Sequence, residues 1–303
     1  MENKLSDKSR NNRNRKGRGV SHSKIILMGE HSVVYGYPAI AIPLKNIQME
    51  CIVERSRVPF FHNEKDTLST AVHTALKYLN RKNENIKYKI ISDIPPKRGM
   101  GSSAAVSIAA IRGVLDYFNT EVDNLTLEKL VNEAEIIAHN TPSGLDAKTC
   151  LSDSAIKFIK NKGFKNLEMN LEAYLLIADT GIHGHTRDAI MNIKNMGNKA
   201  LPMLEKLGKL TEETEKFIEE KDVINIGKNM ISAHGELKKL GVSIEKSDVL
   251  VKTAIDEGAY GAKMSGGGLG GCIIALMESK EKAEMTGKKL MEKGAVNIWI
   301  EAL

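Results

Sequence analysis

The chain has 303 residues, 42% of them hydrophobic and only 5% aromatic, and a formal net charge of +6. That length holds one large domain or two modest ones with real cores. The low aromatic content argues against an aromatic-lined nucleic-acid groove, and no stretch approaches the ~18 apolar residues of a membrane span. The charge is local: residues 1–19 hold seven Lys/Arg against Glu2 and Asp7, so the body of the chain carries only +1. This tail has no apolar periodicity and reads as a disordered basic extension, with nucleic-acid contact as the alternative. No apolar segment follows it, so it is not a signal peptide. Cys51, Cys150 and Cys272 are far apart and odd in number, and no C-x-x-C occurs. They read as reduced thiols of a cytoplasmic protein.

In chain order, Lys24–Met28 reads as a short apolar strand running into the turn Gly29-Glu30-His31-Ser32. Ala39–Pro43 and Gln48–Glu54 read as two further strands. Thr67–Leu79 has helical spacing, and Lys87–Ser92 alternates as a strand does. Ser102 to about Phe118 is an Ala- and Ile-rich helix. Leu127, Leu130, Val131, Ala134 and Ala138 then mark one helical face, with Glu135 at its edge. Spacing alone leaves Glu135 as either a packed stem with a solvated head or a carboxylate aimed into a site. That helix stops at His139-Asn140-Thr141-Pro142-Ser143-Gly144, just before Asp146. Strands follow at Ile156–Ile159 and Tyr174–Ala178. From Thr186 to Gly258 the chain is Lys/Glu-rich and helical, with breaks near Pro202, Lys221-Asp222 and Gly241. A second glycine run, Gly266–Gly271, leads to a strand at Cys272–Met277, a helix at Glu281–Lys293 and a terminal strand at Asn297–Ala302. The pattern is α+β in two lobes, with the boundary near residue 180.

The most informative segment is Pro95-Pro96-Lys97-Arg98-Gly99-Met100-Gly101-Ser102-Ser103-Ala104-Ala105. The prolines forbid a preceding helix, and the glycines let backbone approach a ligand. The loop then opens a helix, whose free N–H groups and positive dipole end suit a phosphate. Serine hydroxyls beside it suit a phosphate-bound Mg²⁺. A plain turn with an N-cap is the alternative. No G-x-x-x-x-G-K-[ST] occurs, which excludes a P-loop. Gly99-x-Gly101-x-x-Ala104 satisfies a loose dinucleotide pattern but lacks the second parallel strand with its acidic end. Gly266-x-Gly268-x-x-Gly271 leads into an apolar strand rather than a helix. Both read as accidental. His183-x-His185 lacks a third ligand at metal spacing and reads as a pair of loop histidines.

Three motifs therefore stand in order: Ser23–His31, Pro95–Ala105 and Lys263–Gly271. Together they resemble those of the GHMP kinase family of small-molecule kinases. Glu30–Gly36 continuing to Pro38-Ala39-Ile40, and Glu135-x-x-x-His139-x-x-Pro142-Ser143-Gly144-x-Asp146, are similar to stretches of the members that phosphorylate mevalonate, in the short bacterial form of Gram-positive cocci. The resemblance covers about Val20 to Leu303. It implies a two-lobed GHMP kinase fold. Residues 20–180 would form an ATP-binding lobe like ribosomal protein S5 domain 2, and residues 181–303 a ferredoxin-like lobe with added helices.

The same resemblance implies transfer of the γ-phosphate of ATP to the 5-hydroxyl of (R)-mevalonate, with Mg²⁺, in isoprenoid synthesis. Asp146 would be the base and Lys24 its cationic partner. Pro96, Lys97, Arg98, Gly99, Met100 and Gly101, with Ser102, Ser103 and Ala104, would cradle ATP. Ser103 and Glu135 would hold the metal. Glu30, His31, Thr186 and Arg187 would meet the acceptor, and Gly266, Gly267 and Gly268 would close the site. A downstream isoprenoid intermediate is the candidate feedback inhibitor. Monomer and homodimer both stay open, and no nucleic-acid or membrane partner is expected. The alternatives are a member that phosphorylates phosphomevalonate, another small-molecule kinase of the family, or a catalytically silent ligand sensor on the same fold.

Overall fold

The computed structural model describes residues 15–139 and 144–303. They divide into two compact units: one holds the described residues up to 23 with those of 45–94 and 101–151, the other residues 24–44, 95–100 and 152–303. The chain thus does not switch lobes once near residue 180. Strands β1 (Lys16–Met28) and β2 (Pro38–Arg55) each contribute residues to both units.

In the first unit, β2 pairs antiparallel with β3 (Ile86–Ser92), with Cys51 opposite Ile90. The helices are α1 (Thr67–Tyr78), α2 (Ser102–Tyr117), α3 (Asn124–His139) and α4 (Leu145–Leu151). Helix α1 is started by Asp66, whose carboxylate accepts from the Ser69 N–H at 2.9 Å. That satisfies one of the N–H groups a helix leaves unpaired.

Strand β1 begins eight residues earlier than the apolar run suggests, so the last residues of the basic tail are strand rather than disordered. The cause is the identity of its inward positions. Gly17, Gly19, Ser21 and Ser23 alternate toward the interior and are buried. A Cβ on Gly19 would lie 2.0 Å from the Ala109 carbonyl oxygen, and one on Gly17 2.2 Å from that of Gly113. Helix α2 therefore lies backbone-to-backbone on β1, and only glycine permits that approach. Residues 1–14 of the tail, and with them most of the expected disordered segment, lie outside the described residues.

In the second unit the other half of β2 pairs with β4 (Ala155–Ile159), which forms a hairpin with β5 (Gly163–Leu167). Two strands were expected across residues 39–54. There is one, because Lys45-Asn46 interrupts the apolar pattern as exposed residues without breaking the extended backbone.

The rest of this unit is a four-stranded antiparallel sheet in the order β7-β8-β6-β9, from Gly261–Ser265, Cys272–Met277, Tyr174–Asp179 and Asn297–Ala302. Chain order β6, helices, β7, β8, helix, β9 with this strand order is the ferredoxin-like arrangement. Between β6 and β7 stand α5 (Thr186–Met196), α6 (Leu201–Glu219), α7 (Val223–Lys239) and α8 (Glu245–Asp256), and α9 is Lys280–Glu292. Pro202 breaks nothing; it sits in the first turn of α6, where its missing N–H needs no partner. Leu250, Ala254, Ile273 and Leu290 pack the core of this unit. No helix of the described residues is long and apolar enough to cross a membrane.

Candidate active site

In the first unit, Gly101 at φ +70° turns the chain into α2, and no side chain caps the helix. The first intrahelical bond runs from Ala105 N–H to the Gly101 carbonyl at 2.9 Å. One turn in, the hydroxyls of Ser103 and Ser107 both donate to Glu135 Oε1, at 2.9 and 3.0 Å. Glu135 is buried at 6% exposure, so its carboxylate is turned inward rather than snorkelling to water. The packing-edge alternative for Glu135 is thus the one the geometry does not favour. This set is oxygen-only, which is the donor chemistry Mg²⁺ takes.

Asp146 is half-buried in the first turn of the short helix α4, just after Gly144 at φ +80°. A carboxylate there is favoured by the helix dipole. Asn140, Thr141, Pro142 and Ser143 of the expected turn lie outside the described residues.

In the second unit, Lys24 is buried inside β1, not at the strand's start, and its N–H donates to the Met100 carbonyl at 3.2 Å. Glu30 is fully buried and ion-paired with Lys263, whose ammonium also donates to the Met264 carbonyl at 2.8 Å. Lys263 belongs to the third motif, but sequence reasoning gave it no role. Its only signal is a charge inside a strand that is otherwise Gly, Ala, Met and Ser. Burial pushes the Glu30 carboxyl up and the Lys263 ammonium down, and each opposite charge resists the other's shift. Among the described residues, Glu30 Oε2 and His31 Nε2 are buried without a hydrogen-bond partner. His31 sits at φ +62°, a strained value for a non-glycine residue of the kind functional loops retain.

Burial, reinforced by the Lys263 charge, lowers the His31 imidazole to about 4, against a hydrogen bond to the Gly267 backbone. His31 is therefore neutral at pH 7. A histidine depressed in the folded state binds fewer protons than the unfolded chain between pH 6.5 and 4, so stability falls as pH drops through that window. The shift corresponds to about 3 kcal/mol when fully developed. His31→Gln is expected to flatten this part of the urea-midpoint profile against pH; an unchanged profile would refute the assignment.

Thr186 opens α5, and a Cβ on Gly267 would lie 1.9 Å from its hydroxyl oxygen. Thr186 and the third motif are therefore in contact, and Gly267 has to be glycine. Arg187 is exposed beside it. Gly99 and Gly266 touch, with a Cβ on Gly266 falling 2.7 Å from Gly99 Cα. Arg98 does not project into solvent as a free cation: its Nε reaches the Asp179 carboxylate at 2.7 and 2.9 Å. Lys97, at φ +58°, bears no such partner among the described residues. Elsewhere, the three cysteines are buried and in no disulfide, and burial pushes the Cys51 thiol up to about 12 and raises the Cys272 thiol, which disfavours the reactive thiolate at these two. No cluster of three His, Cys, Asp or Glu with metal-binding potential occurs among the described residues.

The family models for the GHMP kinases N terminal domain and the GHMP kinases C terminal match residues 68–153 and 214–294. A mevalonate kinase of Pyrococcus furiosus is 32% identical over 306 aligned positions, covering 88% of this chain and 91% of that protein. The crystal structure of mevalonate kinase from methicillin-resistant Staphylococcus aureus MRSA252 superposes with a TM-score of 0.77 at 30% identity, covering 95% of this chain and 99% of that one. That of L. major mevalonate kinase in complex with R-mevalonate gives 0.84 at 24% identity, covering 95% and 96%, and speaks for the fold. The chain belongs to the GHMP kinase family, within its mevalonate kinases, as an ATP-dependent phosphotransferase with an alcohol acceptor.

Proposed function

We propose that this chain transfers the γ-phosphate of ATP to the 5-hydroxyl of (R)-mevalonate, giving 5-phosphomevalonate and ADP. The observation that carries the reading is the uncapped N-terminus of α2 with the Ser103–Glu135 hydrogen bond beside it. An open helix start receives phosphate oxygens, and a hydroxyl with a carboxylate suits a hard cation. Ser103 and Glu135 would hold Mg²⁺ in this reading, which would supply charge neutralisation at the terminal phosphates. Lys97 adds positive charge at the cradle formed by Gly99–Ser103.

Phosphoryl transfer asks a protein for positioning and charge stabilisation more than for covalent chemistry. The acceptor oxygen bonds to the γ-phosphorus, the bond to the ADP oxygen breaks, and the hydroxyl proton passes to Asp146. An alcohol is a far weaker acid than any aspartic acid, so Asp146 orients the hydroxyl first and takes the proton late. Lys24 stabilises negative charge on the transferring group. Glu30 and neutral His31 offer unpaired polar atoms to the acceptor. Thr186 sits by the transferred phosphate, and Arg187 binds the acceptor's carboxylate in a charge-assisted contact.

A coupled ADP-release assay with mevalonate, phosphomevalonate, homoserine and galactose side by side tests the substrate. Turnover is expected with mevalonate, and at most a background rate with the others. Faster turnover with phosphomevalonate would replace this reading by its nearest rival.

A further inference from the structure

The loop Pro95–Met100 is tied down within the second unit by the backbones of β1 and of two other loops and by one side-chain pair. The Gly184 N–H donates to the Lys97 carbonyl at 2.9 Å. Gly271 approaches the Arg98 carbonyl so closely that a Cβ there would lie 2.9 Å from it. The side-chain pair is Arg98 with Asp179, whose side chains are 11% and 4% exposed. Asp179 ends β6, and its Oδ1 also accepts the Gly181 N–H at 2.8 Å. It is thus held by its own turn before it holds anything else.

A buried guanidinium–carboxylate pair is a poor device for stability, because desolvation cancels much of the attraction. What it offers here is direction. Lys97 at φ +58° and Gly99 at φ +78° belong to no regular ladder, so something else must select their conformation. Among the described residues Arg98 Nη1 is buried without a hydrogen-bond partner, so the guanidinium retains a donor beyond those spent on Asp179.

We propose that Asp179 is a positioning residue for ATP: it anchors Arg98, and through Arg98 it fixes the shape in which Lys97–Met100 receives the triphosphate. The inference rests on the kinase reading above. It also changes the part given to Arg98 by the sequence, from a cation lying along the phosphates to the anchor of their loop.

The test uses Asp179→Asn, Arg98→Lys and the double variant of the full chain. It compares KM for ATP, KM for mevalonate, kcat and binding of a fluorescent ATP analogue. Asp179→Asn is expected to raise KM for ATP about tenfold to a hundredfold, as loss of positioning does, with KM for mevalonate within about twofold. Residues acting through one another are non-additive, so the double variant is expected to be no worse than the weaker-binding single one. Equal rises in both KM values, or multiplying effects in the double variant, would overturn the proposal. If Asp179→Asn does not fold, Arg98→Lys decides, because it keeps the charge but loses the planar fork; an unchanged KM for ATP there overturns it. The nucleotide titration needs no acceptor. A wild-type chain that binds ATP yet leaves mevalonate untouched would therefore remove the substrate assignment without deciding the anchor.

Discussion

Asp146→Asn is expected to cut turnover with mevalonate by about 10²–10⁴-fold, the usual span of general-base help, while ATP binding stays near wild type. The substitution keeps size and removes the negative charge, and with it the ability to take a proton. Asp146 stands in the first turn of α4, where the preceding Gly144 lets the chain turn and the dipole favours a negative charge. Asparagine loses that small favourable term, so a slight stability loss accompanies the kinetic one. Single-turnover rates with saturating ATP separate the two. A variant that retains more than about a tenth of wild-type turnover would take Asp146 out of the chemistry.

Lys263→Met is expected to be the most destabilising single change around Glu30 and His31. Lys263 and Glu30 are both fully buried and lie 233 positions apart in sequence. Removing one partner of such a pair leaves an uncompensated buried charge, at a cost of about 3–5 kcal/mol. The carboxyl of Glu30, already raised by burial, loses the cation that opposes the rise. Burial then acts on that carboxyl unopposed by its ion-pair partner, and mevalonate turnover is expected to be lost. Adding Glu30→Gln should restore much of the stability, since no charge is then stranded, but not the activity. Urea unfolding of the two variants measures the first point. A loss below about 1 kcal/mol in Lys263→Met, as for an exposed pair, would contradict the account.

What the sequence disclosed depends on how locally each feature is encoded. The terminal strand Asn297–Ala302 and the strand Cys272–Met277 stand in the structure at the expected bounds, because their hydrophobic runs are bounded by turn residues. The start of β1 was hidden, because glycine and serine fill its inward positions where a strand normally shows branched apolar residues. β2 was cut in two by a pair of exposed polar residues that the extended backbone simply carries. At the site, the Pro95–Ala105 motif pointed to a loop opening a helix, and the structure puts an uncapped helix there.

The partners were not legible. Ser103 and Glu135 are 32 positions apart, Arg98 and Asp179 81, and Lys263 and Glu30 233. No periodicity links such positions. Glu135 shows the limit most clearly: its spacing fits both a packed stem and a ligand, and only the two serine hydroxyls distinguish them.

The central claim is that phosphate passes to the 5-oxygen of mevalonate. It is tested most directly by phosphorus NMR of the product formed from ATP, Mg²⁺ and (R)-mevalonate. The account predicts one new phosphomonoester, coupled to the C5 methylene protons and formed in step with ADP. A phosphate on the tertiary 3-hydroxyl, which would show no such coupling, or ADP formed with only inorganic phosphate beside it, would contradict it.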